Sequence, residues 1–147
     1  MTKNVSINRV FITCFSALLC FFSCSNNHKV GCEVYRNGNF IFRLSPQYGG
    51  NISLINRNDS IQIETDKETG FYSKLKIYWL DECTYEVLLL ETTFPFSDSI
   101  QHIRRTIPMR AEILVKEKEY YVFKAQRKNS MVMIDTMWVD DSKTDRP

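Results

Sequence analysis

The chain has 147 residues, 44% of them hydrophobic and 24% charged, with 19 Lys and Arg against 17 Asp and Glu. That length suits one domain with a real but modest core. A formal net charge of +2 leaves no surplus of Lys and Arg for a phosphate backbone, which argues against nucleic acid as a partner.

In chain order, Lys3 and Arg9 come before or at the start of an uncharged apolar run, Val10 to Phe22. As a helix this run would extend only about 20 Å, short of a bilayer core of about 30 Å. It reads as the h-region of an export signal over residues 1–23 rather than as a membrane span. Ser23 places a small residue before Cys24, and Phe21-Phe22-Ser23-Cys24 resembles a loose bacterial lipobox. The resemblance implies cleavage before Cys24 and lipidation of its sulfur. An ordinary cleaved signal and an uncleaved anchor are the alternatives. Residues 24–31 would then be a polar tether, 32–140 a single β-rich domain and 141–147 a flexible tail. Lys3 and Arg9 would leave with the signal, and all acidic residues follow Cys24, so the mature chain carries no net formal charge.

Of the five cysteines, Cys14, Cys20 and Cys24 belong to the signal or its end. Cys32 and Cys83 remain, and in an oxidising compartment such a pair is expected to form a disulfide. Two buried free thiols are the alternative. With only His28 and His102 elsewhere, the cysteines make no zinc spacing, so neither a metal site nor a cofactor is expected.

From Asn39 onward apolar residues alternate at strand period. Asn39 to Leu44 puts Phe40, Phe42 and Leu44 on one face. After a Pro46-Gly49-Gly50 turn, Ile52 to Arg57 and Ser60 to Thr65 suggest a hairpin about Asn58-Asp59, with Ile61 and Ile63 alternating with Gln62 and Glu64. Lys74 to Leu80 aligns Leu75, Ile77 and Trp79. Thr84 to Glu91 aligns Tyr85, Val87 and Leu89, and Leu88 and Leu90 make its other face apolar, as in a strand covered on both sides. Ser97 to Arg105 predicts a short helix capped by Ser97 and stopped by Pro108. Arg110 to Lys116 points Ala111, Ile113 and Val115 one way, and Tyr121, Phe123 and Ala125 continue that face. Turns at Glu117-Lys118-Glu119 and Lys128-Asn129-Ser130 frame these strands. In the last strand Val132, Ile134 and Trp138 oppose Met131, Met133 and Met137. About eight short strands in sequence predict an antiparallel meander, a small barrel or a two-layer sandwich, with one helix inserted near 97–105.

Signals of chemistry are sparse. His28 reads as a solvated tether residue. His102 lies beside Arg104 and Arg105 with no nucleophile in a local motif. Gly49-Gly50 lacks the Lys-Ser/Thr of a phosphate loop. Glu64, Glu86 and Glu91 read as outward-facing charges, and Arg104, Arg105 and Arg110 as a solvated face or a small basic patch. No catalytic residue is assigned. Aromatics on most strands, among them Phe40, Phe42, Tyr78, Trp79, Tyr85, Tyr121, Phe123 and Trp138, either fill a core or line an apolar pocket.

Cys32, Gly38-Asn39-Phe40, Gln62-Ile63-Glu64 and Trp79 to Tyr85 around Cys83 form a series that resembles small uncharacterised lipoproteins of Bacteroidota-type bacteria. The resemblance covers roughly Cys32 to Tyr85, implies no activity, and fits a structural bridge between Cys32 and Cys83. No acidic run follows Cys24, which favours the periplasmic face of the cell envelope over the cell surface. The expected function is a non-enzymatic envelope lipoprotein, a binding or assembly module held at the membrane through Cys24 and open to an envelope protein partner. The alternative is a small-ligand carrier of barrel type with an aromatic-lined pocket.

Overall fold

The computed structural model describes residues 30–46 and 49–143. The expected export signal, Cys24, His28 and the chain end at 144–147 lie outside the described residues. Eight strands run in order: β1 (Gly38–Arg43), β2 (Ile52–Arg57), β3 (Ile61–Asp66), β4 (Tyr72–Trp79), β5 (Thr84–Thr92), β6 (Met109–Lys116), β7 (Tyr120–Arg127) and β8 (Met133–Val139). The helix α1 (Asp98–Thr106) joins β5 to β6. Each strand pairs antiparallel with the next, and β1 pairs with β8 through Phe40↔Val139, Ile41↔Trp138 and Phe42↔Met137. The sheet is therefore a closed up-and-down barrel, which removes both edge strands. Of the two expected architectures, the sandwich is not the one adopted.

Asx turns shape three of the hairpins. Asn58 Oδ1 accepts the Ser60 and Ile61 amides at 3.1 and 2.8 Å between β2 and β3. Asp66 Oδ1 accepts those of Glu68 and Thr69 at 3.1 and 2.8 Å between β3 and β4. Asp81 Oδ1 accepts those of Cys83 and Thr84 at 2.9 and 2.7 Å between β4 and β5. Each satisfies backbone donors that the ladders do not. In the Asp66 turn, Gly70 sits at φ 73°, a region that L side chains rarely adopt.

Alternation sends every second side chain inward. Phe40, Ile55, Leu75, Ile77, Tyr85, Val87, Leu89, Ala111, Phe123, Ala125 and Met137 are buried. Two expectations change here. Val115 turns outward: the β6–β7 register shifts between Ile113 and Val115, so that Leu114 and Val115 are both exposed. On β3 the polar side is the inner one. Pairing of Arg57 with Gln62 and of Ile55 with Glu64 puts Gln62 and Glu64 on the inward face, while Ile63 is exposed. Both faces of β3 look plausible locally, and the cross-strand register decides between them. Leu90, on the outer face of β5, is 41% exposed, so that face is not covered throughout.

Candidate functional site

The two ends of the barrel differ. One end is filled by the segment before β1. Cys32–Tyr35 forms a 3-10 turn, and Cys32 is bonded to Cys83 in the β4–β5 turn. Tyr35 packs on Tyr121 with ring centroids 4.6 Å apart, and its hydroxyl donates to the Glu117 carbonyl at 2.5 Å. Arg57, 2% exposed, reaches in beneath this plug. Its Nε donates to Gln62 Oε1 at 2.6 Å, one terminal nitrogen to the Tyr35 carbonyl at 3.1 Å and the other to Tyr85 Oη at 3.1 Å. The guanidinium also lies 4.9 Å from the Tyr85 ring centroid and 5.2 Å from that of Phe40. Burial holds the Tyr121 hydroxyl well above its ordinary pKa, against the opposing charge of Arg57.

The other end is open beneath α1. Inside the barrel lies a cavity of about 160 Å³ bordered by Phe42, Gln62, Glu64, Phe123, Met133 and Met137. Above it, a cavity of about 260 Å³ is walled by Leu75, Leu89, Ile100, Ile103, Arg104 and Arg127. Val87 and Met109 border both, so the two spaces share a wall of apolar side chains. α1 contributes no buried residue, and Ile100 and Ile103 remain half-exposed over the mouth.

A polar line connects the two ends. Gln62 accepts from Arg57 and, through Nε2, donates to Glu64 Oε1 at 2.6 Å. These two bonds fix the orientation of the Gln62 amide. Burial pushes the Glu64 carboxyl above its usual pKa, while the charge on Arg104, the Gln62 amide and the charge on Arg57 oppose that rise. At the mouth Arg104 lies 4.6 Å from the Phe96 ring centroid. Burial first, and then the nearby charge of Arg104, lowers the pKa of Arg127.

Other candidates fall elsewhere. His102 is exposed on α1. The three arginines read as a solvated face or a small basic patch do not act as one group: Arg104 borders the mouth, Arg105 is exposed on α1, and Arg110 lies opposite Glu86 in the β5–β6 ladder. Tyr78 and Trp138 point outward, so the inner aromatics of the cavity are Phe42, Tyr85 and Phe123. Glu64, expected outside, is the correction that matters most, and Arg57, Gln62, Arg127, Met109, Met133 and Met137 complete an inner surface that no catalytic or ligand-binding motif marks. Among the described residues, Cys32, Glu82 and Cys83 gather potential metal-ligand atoms within 4.8 Å. Both sulfurs are committed to the disulfide, and Glu82 Oε1 accepts the Cys32 amide at 3.3 Å, so this trio is a structural knot. Comparison with protein-family models, curated proteins and solved structures found no match for this chain.

Proposed function

We propose that this protein is an exported, non-enzymatic envelope lipoprotein, anchored through Cys24, whose barrel carries a small and largely apolar ligand. The observation that carries the proposal is a cavity inside a closed barrel that adjoins a second one at its mouth, under a helix that buries none of its own residues. Eight-stranded barrels have interiors just wide enough to be filled by side chains or to hold one small molecule. Here one end is filled and the other is not. Because the filled end lies next to Cys32, an anchor at Cys24 would place the open mouth away from its membrane, and the periplasmic face is the proposed side.

A photoreactive decyl alcohol carrying a diazirine, added to membranes containing the full chain, tests the carrier. Labelling of the Met109 and Met133 peptides, reduced in an Ala111→Phe variant that fills the interior, is the expected result. Labelling confined to outward residues such as Ile134 and Trp138 would remove the carrier. It would favour the alternative of an assembly surface, supported by the exposure of Ile134 (62%) and Trp138 (43%) on the outer face of β8.

A further inference from the structure

Arg104, in the second half of α1, and Arg127, the last residue of β7, border the same cavity. Among the described residues neither takes part in a salt bridge, and Arg127 Nε is buried without a hydrogen-bond partner. Two guanidinium groups near enough to influence one another, both without a bound carboxylate, repel across a partly desolvated space. The charge of Arg104 also acts on the Glu64 carboxyl, ahead of the Gln62 amide that holds Glu64 Oε1 at 2.6 Å, but it makes no salt bridge with it. Beside the arginines the wall is Leu75, Leu89, Ile100 and Ile103, and below it come Met109, Phe42 and Phe123. The space thus runs from two arginines at the mouth to an interior that is apolar except for the wall carrying Gln62 and Glu64.

Resting on the carrier function proposed above, we propose that the ligand is a single-chain anionic amphiphile whose carboxylate bridges Arg104 and Arg127 and whose hydrocarbon chain runs past Met109 into the barrel. Guanidinium forks match a planar carboxylate through paired charge-assisted hydrogen bonds. The unbranched thioethers of Met109, Met133 and Met137 can follow a flexible chain. Cavities of about 260 and 160 Å³ stand at the small end of ligand sites, which commonly hold about 300–1,000 Å³. That favours one medium-length chain over a two-chain lipid.

The test uses the full chain in its own membranes at alkaline pH, with three diazirine probes sharing one decyl chain and ending in carboxylate, alcohol or trimethylammonium. The carboxylate probe should label the Met109 and Met133 peptides at least about fivefold more than the alcohol, as two charge-assisted bonds would give. Arg104→Gln and Arg127→Gln should each bring that ratio to about one. Alcohol labelling should persist in both variants, which also reports that the barrel is folded, and Arg105→Gln on the same helix should leave the ratio unchanged. Equal labelling of the unsubstituted chain by acid and alcohol would overturn the anionic head group and leave the carrier standing. Preference for the trimethylammonium probe would overturn it in favour of Glu64 as the head-group partner. Absence of interior labelling by every probe would overturn this inference together with the carrier itself.

Discussion

Arg57 is the residue on which the filled end of the barrel depends. It supplies three hydrogen bonds to neutral acceptors on three different segments. Arg57→Ala would leave Gln62 Oε1, the Tyr35 carbonyl and Tyr85 Oη short of a donor in a dry space. A loss of about 3 kcal/mol or more is expected, read as a lowered urea midpoint. Glu64 acts in the opposite sense at neutral pH. Its folded pKa is raised, so between the usual 4.5 and that raised value the folded chain binds more protons than the unfolded one. Stability therefore falls as pH rises through this window. Glu64→Gln should melt at a higher temperature than the unsubstituted protein at pH 7 and at nearly the same temperature at pH 4. Asp66 has the reverse sign: amide donors hold its carboxyl below the usual range, so its contribution is present above that range and lost on acidification. Neither inward role was legible in the sequence. Ile61 and Ile63 make an equally good inner face for β3, and only the pairing of Arg57 with Gln62 selects the polar one. Arg57 itself stands at a strand end, where a charged residue ordinarily meets water.

At the scale of elements the sequence was far more informative, because period-2 alternation and turn residues are local signals. The six strands whose bounds were expected fall within two residues of them, β7 and β8 hold most of the residues expected of the last two, and the Asn58 and Asn129 turns lie where expected. The β6 bulge escaped because an extra residue leaves no mark in composition: Leu114 and Val115 are apolar in either register. The helix was expected at 97–105 and runs over Asp98–Thr106, with Ser97 at its N-cap position. The Ser97 hydroxyl meets Ser99 Oγ at 3.1 Å and makes no capping bond to the helix amides. Since Ile100 and Ile103 stay half-exposed, replacing both by Ser should cost only about 1 kcal/mol each in thermal unfolding. It should nonetheless weaken retention of an interior probe, as these side chains wall the mouth. The Cys32–Cys83 bond fixes the plug to the β4–β5 turn across 51 positions. Cys83→Ser, or reductant, should lower stability by about 4 kcal/mol if loop closure in the unfolded chain governs the effect, again measured by urea unfolding.

Closure of the barrel is a property of the whole molecule and was not encoded locally. It depends on three residue pairs between the first and last strands, and the same alternation would serve a sandwich. Closure gives the molecule a direction that a sandwich would lack. The turns after β2, β4 and β6 lie at the filled end with Cys32, whereas α1 and the turns after β1, β3 and β7 lie at the mouth. From Cys24 to Cys32 the chain can extend at most about 30 Å, so the proposed lipid at Cys24 would keep the filled end near the bilayer and leave the mouth facing the space beyond. A fluorophore at Lys118, in the β6–β7 turn, should then be quenched by spin-labelled lipid head groups more strongly than one at Ser99 on α1. Intact mass of the membrane-purified chain should show a start at Cys24 with added acyl mass. Stronger quenching at Ser99 would reverse the orientation and bring the mouth to the membrane, where a single-chain amphiphile could enter directly from the bilayer. A chain without acyl mass would remove the anchor and leave a secreted barrel free to carry its ligand through the aqueous space.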